Sequence, residues 1–493
     1  MSFLFDGSID AGLLALVIVA LLFALSFEAV NGFHDTANAV ATVIYTHSLS
    51  PGQAVVWSGL WNFLGVLSST GAVAFAIVAL LPVELVLHVG ASAGMAMVFS
   101  LLLSAILWNV GTWYLGLPAS SSHTLIGSIV GVGLANAMIN GQGFGEGVNW
   151  GKLQETMLAL FTSPIIGFVF AALLLWLAKA VIRNPALYKA PDGPKPPPPW
   201  IRGLLVLTCT GVSFAHGSND GQKGMGLIML VLIALLPATF ALHLDATKET
   251  MPKIAADARA AQPIFDKGAA GRRVDNAEAA DHTIAAFLTS ERLDPATWAS
   301  FAFVNSRIAD TMIDVESIRD LSSSRRSRMR RDVYIIDAGI AKLVKIGAVS
   351  GTDAATLQRQ RADLLPLTDY IPLWVKLAVA LALGIGTMVG WRRIVVTLGE
   401  KIGKSHLTYA QGASAELVAA GTIGLADVVG VPVSTTHILS SGIAGAMFAN
   451  RSGLQAGTLR NILLAWVLTV PACVLLGSVL FAASLHVVLS FAG

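Results

Sequence analysis

Six long apolar segments limit what this chain can fold into more than any other feature of its sequence. They lie at 11–30, 53–80, 91–115, 155–182, 371–391 and 461–488. Each has, or comes close to, the roughly 20 apolar residues that cross a lipid bilayer as an α-helix. Because 55% of the residues are hydrophobic and only 13% are charged, a single soluble domain could not cover this much apolar surface. We therefore predict an all-α polytopic membrane protein embedded in the lipid bilayer.

The charges and the cysteines add three expectations. No Lys or Arg precedes Lys152, so the first apolar segment lacks the basic region of a cleaved signal peptide and should remain as a helix. Cys209 and Cys473 lie in apolar stretches, which predicts small buried thiols rather than a disulfide or a metal site. The net charge of +2 says little about partners, and we expect no nucleic acid among them.

One hydroxyl-rich stretch occurs twice in the chain. Residues 116–136 read GLPASSSHTLIGSIVGVGLAN and residues 430–450 read GVPVSTTHILSSGIAGAMFAN, with nine of the 21 positions identical. We call these stretches the first and second hydroxyl motifs. So much identity without a gap indicates an internal duplication.

A second pair of stretches supports the duplication. NGFHDTANAVATVI, which contains Asp35, aligns with AHGSNDGQKGMGLI, which contains Asp220, and we call these the acidic motifs. GASAGMA at 90–96 and GASAELV at 412–418 lie between the acidic and the hydroxyl motif of each half. The two halves therefore follow one plan.

A polar interval at 243–370 interrupts the second half. It carries 18 of the 32 basic and 18 of the 30 acidic residues, and its stretch DVYIIDAGIAKLVKIGAV has apolar residues at helical spacing, so we predict a helical soluble insert. Without these 128 residues, Asp220 and His437 are 89 residues apart, against 88 for Asp35 and His123. The predicted order is first membrane repeat, Pro-rich linker, start of the second membrane repeat, insert and remainder of the second repeat, at 1–182, 183–200, 201–242, 243–370 and 371–493.

Internal duplication is typical of secondary transporters, whose substrate site lies near the bilayer midplane where the repeats meet. We count about five membrane segments per half, with a broken helix at each acidic motif, and an odd number makes the two repeats inverted. The short basic loops 183–202 and 392–406 then lie inside, as the positive-inside rule requires. Both termini and the insert lie outside in this arrangement. Re-entrant hairpins at the hydroxyl motifs would change the count.

The acidic motifs place Asp35 and Asp220 within or beside membrane segments, where an ionised carboxylate costs at least about 2.5 to 3.5 kcal/mol. Glycines beside both aspartates lead us to expect a break in the backbone that frees carbonyl oxygens. Together with the amides of Asn38, Asn219 and Gln222, these oxygens suit a hard cation or a proton. We predict cation or proton coupling here, with the two aspartates as metal ligands. The alternative is an aspartate that only caps a broken helix.

In each hydroxyl motif, a Pro and then three consecutive Ser or Thr form a helix-start signal that leaves donors unpaired in the first turn. Helix N-termini attract anions, and two of them facing each other would hold a small oxyanion. The predicted substrate donors are Ser120, Ser121, Ser122, Ser434, Thr435 and Thr436. The alternative is that these small residues only allow close helix packing.

Four histidines accompany the motifs. His123 and His437 follow the first hydroxyl residue of each hydroxyl motif by three positions, and His34 and His216 adjoin the acidic motifs. Each could relay protons, donate to an oxyanion or bond to a backbone carbonyl. We include all four among the candidate proton-coupling residues.

Two further charged residues are candidates. Lys223 could neutralise Asp220, meet the anion or extend to the membrane interface. Glu416 lies in GASAELV, at or within the membrane, whereas Gly94 takes its place in the first half. Any proton role of Glu416 would therefore belong to one half.

Taken together, these motifs resemble those of the inorganic phosphate transporter (Pit) family, most closely its bacterial low-affinity branch. The similar stretches are GFHDTANAVATVIYT, SFAHGSNDGQKGMG, GTMVGWRRIVVTLGEKI, LTYAQGASAELVAAGTIG and GVPVSTTHILSSG, so the resemblance covers both halves outside the insert. It implies cation-driven symport of inorganic phosphate across the inner (plasma) membrane. In the bacterial branch the cations are protons, and phosphate travels as a neutral complex with a divalent metal such as Mg. No permanently bound cofactor is implied, and a homo-oligomer is compatible with the sequence.

Two alternatives stand beside this reading. One is a sodium-coupled phosphate or sulfate symporter. The other is a membrane-embedded hydrolase with Ser120 or Ser434 as nucleophile, which would need a base within hydrogen-bond reach and a third group to orient that base. Since spacing along the helix supplies at most the first two groups, we expect a transporter and not an enzyme.

Overall fold

The structure is a computed structural model. It describes residues 10–80, 92–141, 143, 147–244, 249–315 and 317–492, without the side chains of 36–38, 92–93, 237–238, 289 and 488–492. Asn38, one of the predicted coupling residues, therefore lies outside the described side chains. The chain divides into two compact units: one contains the described residues up to Val231 and those from Ile371 onward, and the other contains Leu232–Tyr370.

The first seven helices in the described residues are α1 Ala11–Tyr45, α2 Pro51–Ser68, α3 Ala72–Val78, α4 Ser92–Tyr114, α5 Ser121–Ile139, α6 Trp150–Val181 and α7 Pro199–Leu235. The polar interval contains α8 Pro237–Phe240, α9 Thr250–Ala269, α10 Ala277–Ser290, α11 Pro295–Ile313, α12 Ser323–Lys345 and α13 Gly351–Thr368. The chain then forms α14 Leu373–Thr387, α15 Arg392–Val396, α16 Tyr409–Val429, α17 Thr435–Ala449 and α18 Ala456–Ala492. Short 3-10 turns occur at Pro185–Tyr188 and Ile318–Asp320, and a π-helical turn at Thr397–Lys401.

Six helices of the described chain are long and apolar enough to cross a membrane, and eight spans result if each of two bent helix pairs counts as one. This confirms the prediction of an all-α polytopic membrane protein. The number is smaller than the sequence count of about five per half, for two reasons. The 15 residues of α17 reach only about 22 Å, and the acidic motif lies in the middle of α7, where it lowers the apolar character of that helix. The inverted orientation of the repeats and the side of the membrane stay predictions.

The expected break of the backbone at the acidic motifs is wrong. Helix α1 runs unbroken through Asp35, and α7 runs unbroken through Asp220. The neighbouring glycines instead allow close helix crossings: a Cβ on Gly32 would lie 2.8 Å from the amide nitrogen of Thr387, and one on Gly217 would lie 2.7 Å from the Cα of Asn62. Such small-residue contacts let helix backbones approach in membranes.

The hydroxyl motifs form helices that pack on the last helix of the other half. Helix α5 of the first half packs on α18, and α17 of the second half packs on α6. Glycines make these crossings close: a Cβ on Gly127 would lie 2.9 Å from the carbonyl oxygen of Val470. The reciprocal packing agrees with a duplicated chain, and it buries most of α5 and α17.

The unit Leu232–Tyr370 is helical, and α9, α11, α12 and α13 pack around an apolar core that includes Phe265 and Phe301. Its helices also bury a charged pair, because Arg307 Nε donates to Asp332 Oδ2 at 2.7 Å. Burial raises the pKa of Asp332 from 3.8 to about 6, although the ion pair with Arg307 opposes this shift.

Candidate substrate and cation site

Asp35 connects the beginnings of α5 and α17. Its Oδ2 accepts a hydrogen bond from Ser121 Oγ at 3.0 Å, and its Oδ1 accepts one from Thr436 Oγ1 at 2.6 Å. His34 Nδ1 lies 3.1 Å from Oδ1. The carboxylate is 1% exposed, so a single buried charge receives a donor from each of the two hydroxyl motifs.

Asp220 is paired with a buried lysine. Lys223 Nζ donates to Asp220 Oδ1 at 2.6 Å, and both side chains are 0% exposed. On the other oxygen, His216 Nε2 lies at 3.4 Å and Thr435 Oγ1 donates at 3.4 Å. Of the three roles considered for Lys223, neutralising Asp220 is the one that the structure shows. Extension to the membrane interface is wrong, because the ammonium group is fully buried.

The two aspartates lie close together. One ligand atom from each of Asp35, His216 and Asp220 lies within 4.8 Å of the other two. We call these three residues the carboxylate cluster. Carboxylate oxygens suit hard cations, and imidazole nitrogen adds a ligand for a transition metal or a place for a proton. The arrangement can therefore hold a cation or store a proton between the two halves of the chain.

The first hydroxyl residue of each hydroxyl motif caps a helix. Ser120 Oγ accepts from the backbone amide of His123 at 3.3 Å, and Ser434 Oγ accepts from that of His437 at 3.1 Å. These side chains satisfy one amide each at the start of α5 and α17. The first amides of an α-helix have no acceptor within the helix, so helix starts of this kind suit an anion.

The remaining hydroxyl residues donate to two kinds of acceptor, a carboxylate or a backbone carbonyl. Ser121, Thr435 and Thr436 donate to the aspartates. Ser122 instead donates to the carbonyl oxygen of Val433 at 2.8 Å, which ties α5 to the residue just before α17. The structure thus brings all six predicted hydroxyl groups to the two helix starts, and three of them contact a charged group among the described residues.

His123 and His437 meet where the two helix starts approach each other. Their ring centroids are 4.5 Å apart, and the ring of His437 stacks on that of Trp466 at 4.0 Å. His123 Nδ1 and His437 Nε2 are buried and have no hydrogen-bond partner among the described residues. These nitrogens are therefore not committed to a backbone carbonyl within that part of the chain.

Two residues that the sequence reasoning missed hold the other histidines. His34 Nε2 lies 3.2 Å from Thr112 Oγ1, and His216 Nδ1 lies 2.8 Å from Asn62 Oδ1. Asn62 is an amide in the middle of an apolar segment, which is a usable signal because buried amides need partners. A threonine such as Thr112 gives no comparable signal, since its hydroxyl can bond within its own helix.

The amides of α7 contact other partners. The Gln222 amide donates to Asp427 and to the carbonyl oxygen of Ser218, the latter at 2.9 Å, while Asn219 Nδ2 donates to the carbonyl oxygen of Val431 at 3.4 Å. In the contacts that the structure describes, neither amide reaches Asp35 or Asp220. Both tie α7 to the end of α16 and the loop after it.

Glu416 lies on α16 and is fully buried. Its Oε2 accepts from Thr208 Oγ1 at 2.5 Å, and its Oε1 has no hydrogen-bond partner in the described part of the chain. No described contact joins it to the carboxylate cluster. It is thus a buried acid outside the carboxylate cluster, and Gly94 takes its place in the first half.

The geometry does not support a serine hydrolase. The hydroxyls of Ser120 and Ser434 accept hydrogen bonds from helix amides, and the rings of His123 and His437 lie against each other at a tilt of 39°. Across the described residues, neither serine hydroxyl is hydrogen-bonded to an imidazole. A nucleophile without a base in reach is not activated.

Comparison with known proteins agrees with this reading. The sequence profile of the phosphate transporter family matches residues 31–477. The chain is 46% identical, over an alignment of 502 positions, to the low-affinity inorganic phosphate transporter PitA of Escherichia coli (strain K12), covering 99% of this chain and 100% of that protein. It is 27% identical to a probable low-affinity inorganic phosphate transporter of Bacillus subtilis (strain 168), covering 95% and 97%.

A solved structure, that of the sodium-dependent phosphate transporter, shares the fold. It has a TM-score of 0.53 at 18% identity and covers 95% of this chain and 98% of that one. All three named relatives are transporters, in agreement with the expectation that this protein is not an enzyme. The length and identity of the sequence matches establish that the chain belongs to the phosphate transporter family.

Proposed function

We propose that this member of the phosphate transporter family imports inorganic phosphate as a neutral complex with a divalent cation, and that protons drive the transport. The observation that carries this proposal is the carboxylate cluster. An acid from each acidic motif contributes to it, and hydroxyl donors from both hydroxyl motifs surround it. Oxygen ligands for a cation therefore lie beside helix starts that suit a phosphate group.

Charge balance favours the metal complex over bare phosphate. With neutral imidazoles and an uncharged Glu28, which is also fully buried, the groups Asp35, Asp220 and Lys223 carry one net negative charge. A phosphate dianion beside them would bring the total to three negative charges in a buried site, where repulsion between charges is stronger than in water. A neutral complex of phosphate with a divalent cation adds no net charge.

A proton would neutralise the one net negative charge of Asp35, Asp220 and Lys223. His34 and His216 lie 3.1 Å and 3.4 Å from the two aspartates, so a proton can pass between imidazole and carboxylate without a large movement. Import of one positive charge with a neutral complex also gains about 2.3 kcal/mol per 100 mV from an inside-negative potential.

Uptake by the purified protein in proteoliposomes tests the proposal. Labelled phosphate should accumulate when choline replaces sodium. Accumulation should fall when a protonophore removes the pH gradient, and it should fall again when divalent cations are chelated. Uptake that requires sodium and ignores the pH gradient would overturn proton coupling. If unlabelled sulfate inhibited the uptake of labelled phosphate more strongly than unlabelled phosphate does, the assignment of phosphate as the substrate would be wrong.

Variants of the two aspartates test the site itself. Asp35→Asn and Asp220→Asn should each abolish accumulation while the helix content stays that of the wild type. Glu155→Gln, which changes an exposed acid on α6, serves as the control and should transport normally. Normal accumulation by both aspartate variants would place the coupling site elsewhere.

A further inference from the structure

A cleft of about 630 Å³ lies between the end of α4 and the start of α15, and none of its lining residues belongs to the carboxylate cluster. Trp113 and Tyr114 line one side, and Arg392, Arg393 and Lys401 line the other. Trp113 Nε1 donates to the carbonyl oxygen of Gly390 at 2.7 Å, which fixes the two sides together. Three cationic side chains thus share a cleft with the rings of Trp113 and Tyr114, and Trp391 lines it as well.

The aromatic rings hold one of these cations in place. The Arg393 guanidinium lies 5.2 Å from the ring centroid of Trp113 and 4.7 Å from that of Tyr114, and it donates to the carbonyl oxygen of Tyr114 at 2.7 Å. Both ring distances are within the range of a cation–π contact. The cation is therefore ordered before any ligand arrives.

The other two cations are available to a ligand. Arg392 and Lys401 are exposed, and neither forms an ion pair with a described residue. The acid beside Lys401, Glu400, accepts a hydrogen bond from the Tyr45 hydroxyl at 2.7 Å and does not line the cleft. The cleft therefore keeps an excess of positive charge that attracts an anion.

An apolar surface leads into the cleft. Leu381 and Ile385 on α14 are 53% and 60% exposed, and Val389, which directly precedes Gly390, is 58% exposed. Tyr114 and Leu115 are 63% and 70% exposed at the end of α4. In a protein that spans a membrane, such side chains face lipid, and an aromatic residue at the end of a span marks the interface. A ligand with an anionic head and an apolar tail fits both parts.

We propose that this cleft binds the phosphate of an anionic phospholipid headgroup, with Arg392 and Lys401 contacting its oxygens and the acyl chains lying along α14. Arg393 and the rings of Trp113 and Tyr114 form the floor of this cleft. The same chemistry occurs where basic pockets between membrane helices bind lipid headgroups. Free phosphate would use the cations but not the apolar surface.

Native mass spectrometry of the purified full-length protein tests this site, with phosphatidylglycerol and phosphatidylcholine as probes. The wild type should retain phosphatidylglycerol in preference to phosphatidylcholine. The double variant Arg392→Gln/Lys401→Gln should bind phosphatidylglycerol about 30-fold more weakly, which is about 2 kcal/mol for two basic groups at 1.4 kcal/mol per tenfold. The charge-matched control Arg183→Gln/Arg460→Gln, which changes two exposed residues outside the cleft, should bind as the wild type does.

Two results would overturn the proposal. In the first, the cleft variant and the control bind phosphatidylglycerol equally well. In the second, inorganic phosphate displaces the lipid from the wild type, and the cleft variant keeps its lipid but takes up phosphate more slowly. That outcome would make the cleft an entry point for phosphate. Because lipid retention is measured without transport, it is independent of the proposed coupling mechanism.

Discussion

The buried pair of Lys223 and Asp220 allows a quantitative prediction. Both side chains are 0% exposed and their charged atoms are 2.6 Å apart. Lys223→Met would leave Asp220 with His216 and Thr435, each at 3.4 Å, and neither replaces a full positive charge. Breaking a buried pair in this way costs about 3 to 5 kcal/mol. We therefore expect the free energy of unfolding to fall by that amount, a change of roughly 100-fold or more in the ratio of folded to unfolded protein.

The assay is denaturant unfolding of the reconstituted protein, followed by circular dichroism. Lys152→Met is the matched control, because Lys152 and Glu155 form a pair with the same spacing but 29% and 57% exposure. That pair should contribute only about 0.5 kcal/mol. The double variant Lys223→Met/Asp220→Asn should lose less than the sum of its two single variants, by at least about 1 kcal/mol. The reasoning is refuted if Lys223→Met destabilises no more than Lys152→Met does.

Three other predictions concern the fold. Gly32→Leu should lower the free energy of unfolding by about 2 kcal/mol or more, because a Cβ there would lie 2.8 Å from the Thr387 amide nitrogen. If denaturant unfolding showed the variant to be as stable as the wild type, the close crossing would be contradicted. Cysteines introduced at Ser323 and Lys189, both exposed, should react with an impermeant thiol reagent from opposite sides of the membrane; reaction from one side would contradict the predicted topology. Folding raises the pKa of Asp332 from 3.8 to about 6, so the folded state binds the proton more tightly and its stability should fall as the pH rises from about 4 to about 6. Melting curves of Asp332→Asn should depend less on pH than those of the wild type. An unchanged pH dependence in this variant would count against the pKa shift.

The sequence could predict most of the membrane helices and the equivalence of Asp35 and Asp220 in the two halves. The apolar segments are long enough to identify most of the membrane helices, and the alignment of the two acidic motifs made Asp35 and Asp220 equivalent before their positions were known. It could not show that the helices pass through Gly32 and Gly217 without a break. A glycine permits either a break in a helix or a close crossing of two helices. Here the crossing helix passes Gly32 at Thr387 and Gly217 at Asn62. Both partners are far away in sequence.

The roles of individual hydroxyl groups were also beyond the sequence. Ser121 and Ser122 are adjacent, yet one donates to Asp35 and the other to Val433. Successive residues of a helix point about 100° apart, so the role of each depends on where the helix begins and how it is rotated. Three identical serines in a row contain no information about either quantity. The cap formed by Ser120 fixes both, and only the three-dimensional structure reveals it.

Asp35 has a consequence for the timing of transport. Ser121 belongs to the first half and Thr436 to the second, and both donate to this one carboxylate. Hydrogen bonds to a charged acceptor are about twice as strong as neutral ones, so adding one proton to Asp35 weakens both attachments in the same event. If protonation of Asp35 takes part in the proposed transport cycle, one proton would therefore loosen the contacts of this carboxylate with both halves together, while the Ser122–Val433 hydrogen bond and the helix packing still join them.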